Sequence, residues 1–148
     1  MHIVQSPGER RTGTHRFIDE MSEERQEMWV LYCKVAGLEP FEEVSSSPEL
    51  MEAFCQVLVD YISSGHFGLY ERIVEGKERR RAVCEVAAEV YERIAQTTDV
   101  ALKFNDTYDP GSQLERSEQF AHDLSALGEA LALRIELEDR VIGKMLAA

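Results

Sequence analysis

The chain has 148 residues, 44% of them hydrophobic and 30% charged, which suits a single domain that buries roughly 70% of the surface its unfolded chain exposes. Acidic residues outnumber basic ones 28 to 16, for a formal net charge of -12, so a phosphate backbone is repelled over most of the surface and a basic partner is favoured. Cys33, Cys55 and Cys84 lack CxxC pairing and no segment approaches 18 uncharged residues, which disfavours a disulfide framework, a tetrahedral zinc site and a membrane span, and leads us to expect a cytoplasmic protein.

The first nine residues read as a flexible N-terminus. A helix is expected from about Arg10 to Ala36, because Phe17, Met21, Met28, Tyr32 and Val35 recur on one face. Gly37 is its natural stop. After a connector holding Pro40, Ser47 is positioned to cap a second helix with Pro48 in its first turn. The apolar face of that helix is Leu50, Met51, Phe54, Leu58, Tyr61 and Ile62, and it is expected to end at Ser63-Ser64-Gly65 with glycine in the left-handed conformation.

A short helix over 67–75 follows, ending at Gly76. The next helix has the most regular pattern, with Val83, Ala87, Val90, Ile94, Thr97, Ala101, Phe104 and Tyr108 at alternating spacings of four and three. Asp109-Pro110-Gly111 breaks it. Ser112 with Glu115 reads as a capping box for the last helix, whose stripe is Ala121, Leu124, Gly128, Leu131, Ile135, Ile142 and Met145. The fold class is therefore all-α: an antiparallel bundle of four long helices plus one short accessory helix, in a single domain spanning 1–148.

Catalytic and metal chemistry find little support. There is no Glu-x-x-His for a di-iron bundle, no Gly-rich phosphate loop and no G-x-S-x-G elbow. His66 after Gly65 reads as a capping or packing histidine rather than a base. The run Lys77-Glu78-Arg79-Arg80-Arg81 reads as a solvated helix start rather than a DNA contact. No enzyme activity, cofactor or metal is expected.

Charge is more informative. Residues 38 to 75 hold eight acidic groups, Glu39, Glu42, Glu43, Glu49, Glu52, Asp60, Glu71 and Glu75, against the single basic Arg72. At 100° per residue, Glu49, Glu52, Gln56, Asp60 and Ser63 fall on the side of the second helix opposite its apolar face. A stripe without basic i,i+4 partners focuses potential and favours a basic helical surface. Two charges interrupt the apolar seams: Arg25 in the first helix and Glu138 in the last. A lone buried charge is costly, so each must pair, reach solvent or face a partner.

The residues from Phe54 to Ile73, FCQVLVDYISSGHFGLYERI, resemble the central signature of the Rsd/AlgQ family, the regulators of sigma D. Gly128-Glu129-Ala130-Leu131 through Arg134 to Leu137-Glu138-Asp139 is similar to its C-terminal signature, and Ile18-Asp19 with Arg25 echoes its first helix. Where family members commonly carry Arg-Trp after the first-helix aspartate, this chain has Glu20-Met21.

The resemblance implies an anti-sigma regulator. Such a protein binds the primary sigma factor of bacterial RNA polymerase, chiefly its C-terminal promoter-recognition domain, and competes with core polymerase and promoter DNA. Polymerase then turns toward alternative sigma factors as growth slows into stationary phase. The expected partner-binding residues are Asp60, Gln56, Glu52, Glu49, Ser63 and Asp19, with Asp60 foremost, in a monomer that binds one sigma and touches neither nucleic acid nor membrane. Two other readings are a helical adaptor for another cytoplasmic regulator and a metal-binding or redox bundle.

Overall fold

The computed structural model describes residues 7–40, 47–65, 68, 80–108 and 118–146. Four helices account for nearly all of these: α1 (Pro7–Ala36), α2 (Pro48–Ser64), α3 (Arg81–Thr107) and α4 (Glu118–Leu146). Among the described residues there is no strand, and no helix is long and apolar enough to cross a membrane. The all-α bundle expected from the periodicity is the observed fold. The expected short helix over 67–75 and the capping box at Ser112 lie outside the described residues, Gly68 apart.

The helix ends follow local chemistry. Pro7 opens α1 three residues before the expected Arg10, at a position where the missing N–H of proline costs nothing. At the other end Gly37 takes φ +68, a conformation glycine adopts without strain. The Gly37 and Leu38 N–H groups then donate back to the Lys34 and Cys33 carbonyls, closing the helix as a Schellman-type turn does. Ser47 caps α2 by accepting from the Leu50 N–H at 3.1 Å, with Pro48 in the first turn. Gly65 departs from expectation. It stays right-handed, at φ -62 and ψ -45, and its N–H continues the helical pattern onto the Tyr61 and Ile62 carbonyls.

Each helix neighbours two others in the order α1, α2, α3, α4 and back to α1, with the closest backbone approach within the pairs α1–α2 and α3–α4. Neighbours run antiparallel. Ser64 meets Glu24 while Phe54 meets Tyr32, and Arg25 meets Glu138 while Tyr32 meets Leu124. An aromatic ladder crosses the bundle from Trp29 through Tyr32, Phe54, Phe104 and Tyr108 to Phe120, with successive ring centroids 4.8 to 6.2 Å apart.

All eight expected seam positions of α3 are buried. On α1 and α2 the expected faces are buried except Phe17 and Leu50, which are half-buried, while Ile18 and Cys55 join the core. The stripe on α4 is wider than expected. Leu127, Arg134, Leu137 and Val141 are buried as well, because α4 packs against both α1 and α3 rather than along one seam. Ile135 is only half-buried, at the edge of that arc, and Ala121 is exposed. Since Tyr32 bonds the Leu124 carbonyl, Ala121 lies level with the last residues of α1, where cover runs out.

Candidate partner-binding surface

The acidic stripe sits where helical geometry puts it. Met51, Phe54, Leu58, Tyr61 and Ile62 fix one face of α2 in the core, leaving Glu49, Glu52, Gln56 and Asp60 exposed on the other, with Ser63 half-buried at its edge. Gln56 donates to Asp60 at 3.2 Å, one turn along the helix. No ion pair neutralises the stripe among the described residues. The Glu49 carboxylate in the first turn is favoured by the helix dipole, whereas Glu52 and Asp60, farther along the helix, gain little from it. Asp19 is also exposed, but it lies about 140° around α1 from Glu24, the residue that accepts from Ser64 on α2 at 2.5 Å. The structure does not bring Asp19 to the stripe.

Beneath this surface a polar cluster crosses the bundle, and each helix contributes to it. The Tyr61 hydroxyl of α2 donates to the Glu138 carboxylate of α4. Arg25 of α1 reaches Glu138 at 3.5 Å and donates to Asp139 at 2.8 Å. Arg134 stands 3.7 Å from Glu138, lies over the Tyr61 ring at 5.6 Å from its centroid, and donates to Thr98 at 2.7 Å and Thr97 at 3.2 Å on α3. Arg134 and Glu138 are 0% exposed, while Asp139 keeps 57% of its side chain in solvent. Arg25 thus links a buried carboxylate to an exposed one.

The two charges that interrupt the apolar pattern, Arg25 and Glu138, meet here. Arg134, Tyr61 and Thr98 belong to the same cluster and were not anticipated. Burial pushes the Glu138 carboxyl upward, against the pull of Arg134, the Tyr61 hydroxyl and Arg25. The Tyr61 phenol is pushed far above the usual tyrosine range, first by burial and then by the neighbouring Glu138 carboxylate. Both shifts disfavour new charge inside the bundle.

Other residues of chemical interest are accounted for structurally. Cys33, Cys55 and Cys84 form no disulfide among the described residues, and no group of three or more His, Cys, Asp or Glu among them is arranged to hold a metal ion. Arg80 donates to the Met145 carbonyl at 2.8 Å, and Arg81 pairs with Glu85 one turn on at 3.0 Å. That part of the basic run has partners within the protein. His66 and residues 77–79 lie outside the described residues.

A family model described as "Regulator of RNA polymerase sigma(70) subunit, Rsd/AlgQ" matches residues 1–146. The chain belongs to the Rsd/AlgQ family. Among similar Rsd/AlgQ proteins is the "Regulator of sigma D" of Yersinia pestis bv. Antiqua (strain Angola), 33% identical over 96% of this chain and 86% of that protein. Those of Yersinia enterocolitica serotype O:8 and Enterobacter sp. (strain 638) are 33% and 32% identical, each over 96% of this chain and 87% of the relative. The matched residues span the helices that hold the α2 stripe and the buried cluster.

Proposed function

We propose that this protein is an anti-sigma regulator that binds the primary sigma factor of bacterial RNA polymerase. The contact is chiefly with the sigma C-terminal promoter-recognition domain, in competition with core polymerase and promoter DNA. Family membership supports the general role, and the unneutralised acidic stripe on α2, with Asp60 exposed beside Gln56, carries the reading of the site.

A domain that reads a promoter presents a basic helix to DNA phosphates. Carboxylates on a rigid helix can take the place of those phosphates without deforming the bundle. The stripe steers encounter over a distance set by salt, while close charge-assisted hydrogen bonds supply affinity. Regulation by sequestration requires no chemistry on sigma, so the protein acts as a cytoplasmic binding module rather than an enzyme. It works as a monomer taking one sigma and makes no direct nucleic-acid contact.

Co-purification with full-length primary sigma factor, and with sigma lacking its C-terminal domain, tests the reading. Retention of the full-length factor and loss of the truncated one is the expected result. Failure to retain either would overturn it.

A further inference from the structure

The outer face of α1 carries a groove that the acidic stripe on α2 does not include. Glu23, Gln26, Glu27, Val30, Leu31 and Lys34 line a shallow depression of about 380 Å³, wide open to solvent, on the side of the helix away from the core residues Met21, Met28 and Tyr32. Val30 is 37% exposed and presents an aliphatic group to solvent there. Leu31 is half-buried and packs against the core at the groove's edge, so the floor is anchored rather than mobile.

The rim states what kind of occupant fits. Glu23 and Glu27 are exposed one turn apart, Glu20 continues the row toward the N-terminus, and none of the three is in an ion pair among the described residues, while Lys34, the cation at the far end of the lining, is half-buried and already engaged within the protein. Like charges at i,i+4 repel along a helix, and the chain as a whole carries -12. A second copy of this chain would meet the same charges. A cationic helix would relieve them, placing an apolar side chain over Val30 and Leu31 and basic residues one or two turns away beside Glu27 and Glu23.

The groove is also close to the proposed sigma-binding stripe. Glu24 accepts from Ser64 across the α1–α2 pair, and these helices run antiparallel. Moving three residues up α1 to Glu27 and four back along α2 to Asp60 therefore arrives at the same level of the hairpin. Both side chains are exposed there.

We infer that this groove takes an apolar side chain from a basic amphipathic helix of the sigma C-terminal domain, with Glu23 and Glu27 holding its cations, as a second contact beside Asp60. The inference rests on the reading of the chain as a sigma-binding protein. It separates two duties: Asp60 makes a charged contact, and Val30 a hydrophobic one.

The test is calorimetric titration of the full-length chain, as wild type, Val30→Asp and Glu23→Gln/Glu27→Gln, against the isolated sigma C-terminal domain at two salt concentrations. Helical content is checked in each variant. Val30→Asp is expected to weaken binding at least about tenfold, as for a desolvated interface anchor. The glutamine pair is expected to weaken it about threefold at low salt and to flatten the salt dependence. If Val30→Asp loses helix, Val30→Ala and the glutamine pair decide the matter. Wild type that binds while the folded variants bind equally well would overturn the groove and leave the sigma reading intact. Wild type that does not bind would overturn both.

Discussion

Tyr61 on α2 donates its hydroxyl to Glu138 on α4, joining two helices that are not neighbours in the ring and placing a hydrogen bond through the middle of the bundle. The same carboxylate lies within 4 Å of both Arg25 and Arg134. Glu138 is therefore the point where α1, α2 and α4 meet, and Arg134 carries the connection on to Thr97 and Thr98 of α3.

Removing the carboxylate leaves the fully buried Arg134 guanidinium without its nearby counterion, while Arg25, partly exposed, keeps Asp139. Glu138→Ala is expected to destabilise the fold by about 3 kcal/mol or more, as for breaking a buried pair on one side. Tyr61→Phe keeps the ring and loses only the donor, so about 1–3 kcal/mol is expected from the unsatisfied carboxylate. Urea unfolding followed by helical circular dichroism measures both. Equal stability of Glu138→Ala and wild type would contradict the role given to the cluster.

Gly128 is required by Tyr32. A Cβ at position 128 would collide with the Tyr32 hydroxyl oxygen and stand 2.7 Å from its ring Cζ, while that hydroxyl is held by the Leu124 carbonyl at 2.9 Å. Gly128→Ala should therefore destabilise the protein by about 1–3 kcal/mol through overpacking, despite a gain in helix propensity of about 1 kcal/mol. Pairing it with Tyr32→Leu should recover part of the loss. A stabilised single variant would refute the contact.

Tyr108, the C-cap of α3, donates to Asp123 on α4 at 2.5 Å. Burial first, then the bond to Asp123 and its charge, push the Tyr108 phenol up to about 12, while the same bond and one from Gln119 hold the Asp123 carboxyl below its usual value. The phenol's raised folded value means that its contribution is complete below the unfolded value near 10 and is lost as pH rises through 12. The depressed carboxylate acts oppositely: its contribution is present above the unfolded carboxylate range and is lost as pH falls through the lower folded value. Ultraviolet titration should show a tyrosine near 12 that moves partway toward 10 in Asp123→Asn and vanishes in Tyr108→Phe. No change in either variant would contradict the pairing.

Local signals in the sequence translated well into structure. Gly37, Ser47-Pro48 and the spacing of Val83 through Tyr108 each act over a turn or two of chain, and each appears where its chemistry requires. Arg25 and Glu138 were legible as interruptions of apolar stripes. The rest of their cluster was not, because Tyr61 belongs to an ordinary apolar face and its hydroxyl finds a partner 77 residues away. Arg134 shows the same limit: a cation in a helix reads as surface until Tyr61 of α2 and Thr97 and Thr98 of α3 are known to lie against it. Exposure of Asp60 followed from periodicity, whereas the groove at Val30 did not, since an isolated valine on a polar face has no signature.

Binding of sigma by the α2 stripe through Asp60 is tested by calorimetric titration of wild type, Asp60→Ala and Asp60→Arg against the isolated sigma C-terminal domain. Asp60 is exposed, and its one hydrogen bond among the described residues is accepted from Gln56, so either change should alter fold stability by no more than about 0.5 kcal/mol. Wild type should bind, Asp60→Ala should lose about 2–5 kcal/mol of binding by leaving a sigma cation unpaired, and Asp60→Arg should lose more. Wild-type affinity in both folded variants would contradict the account.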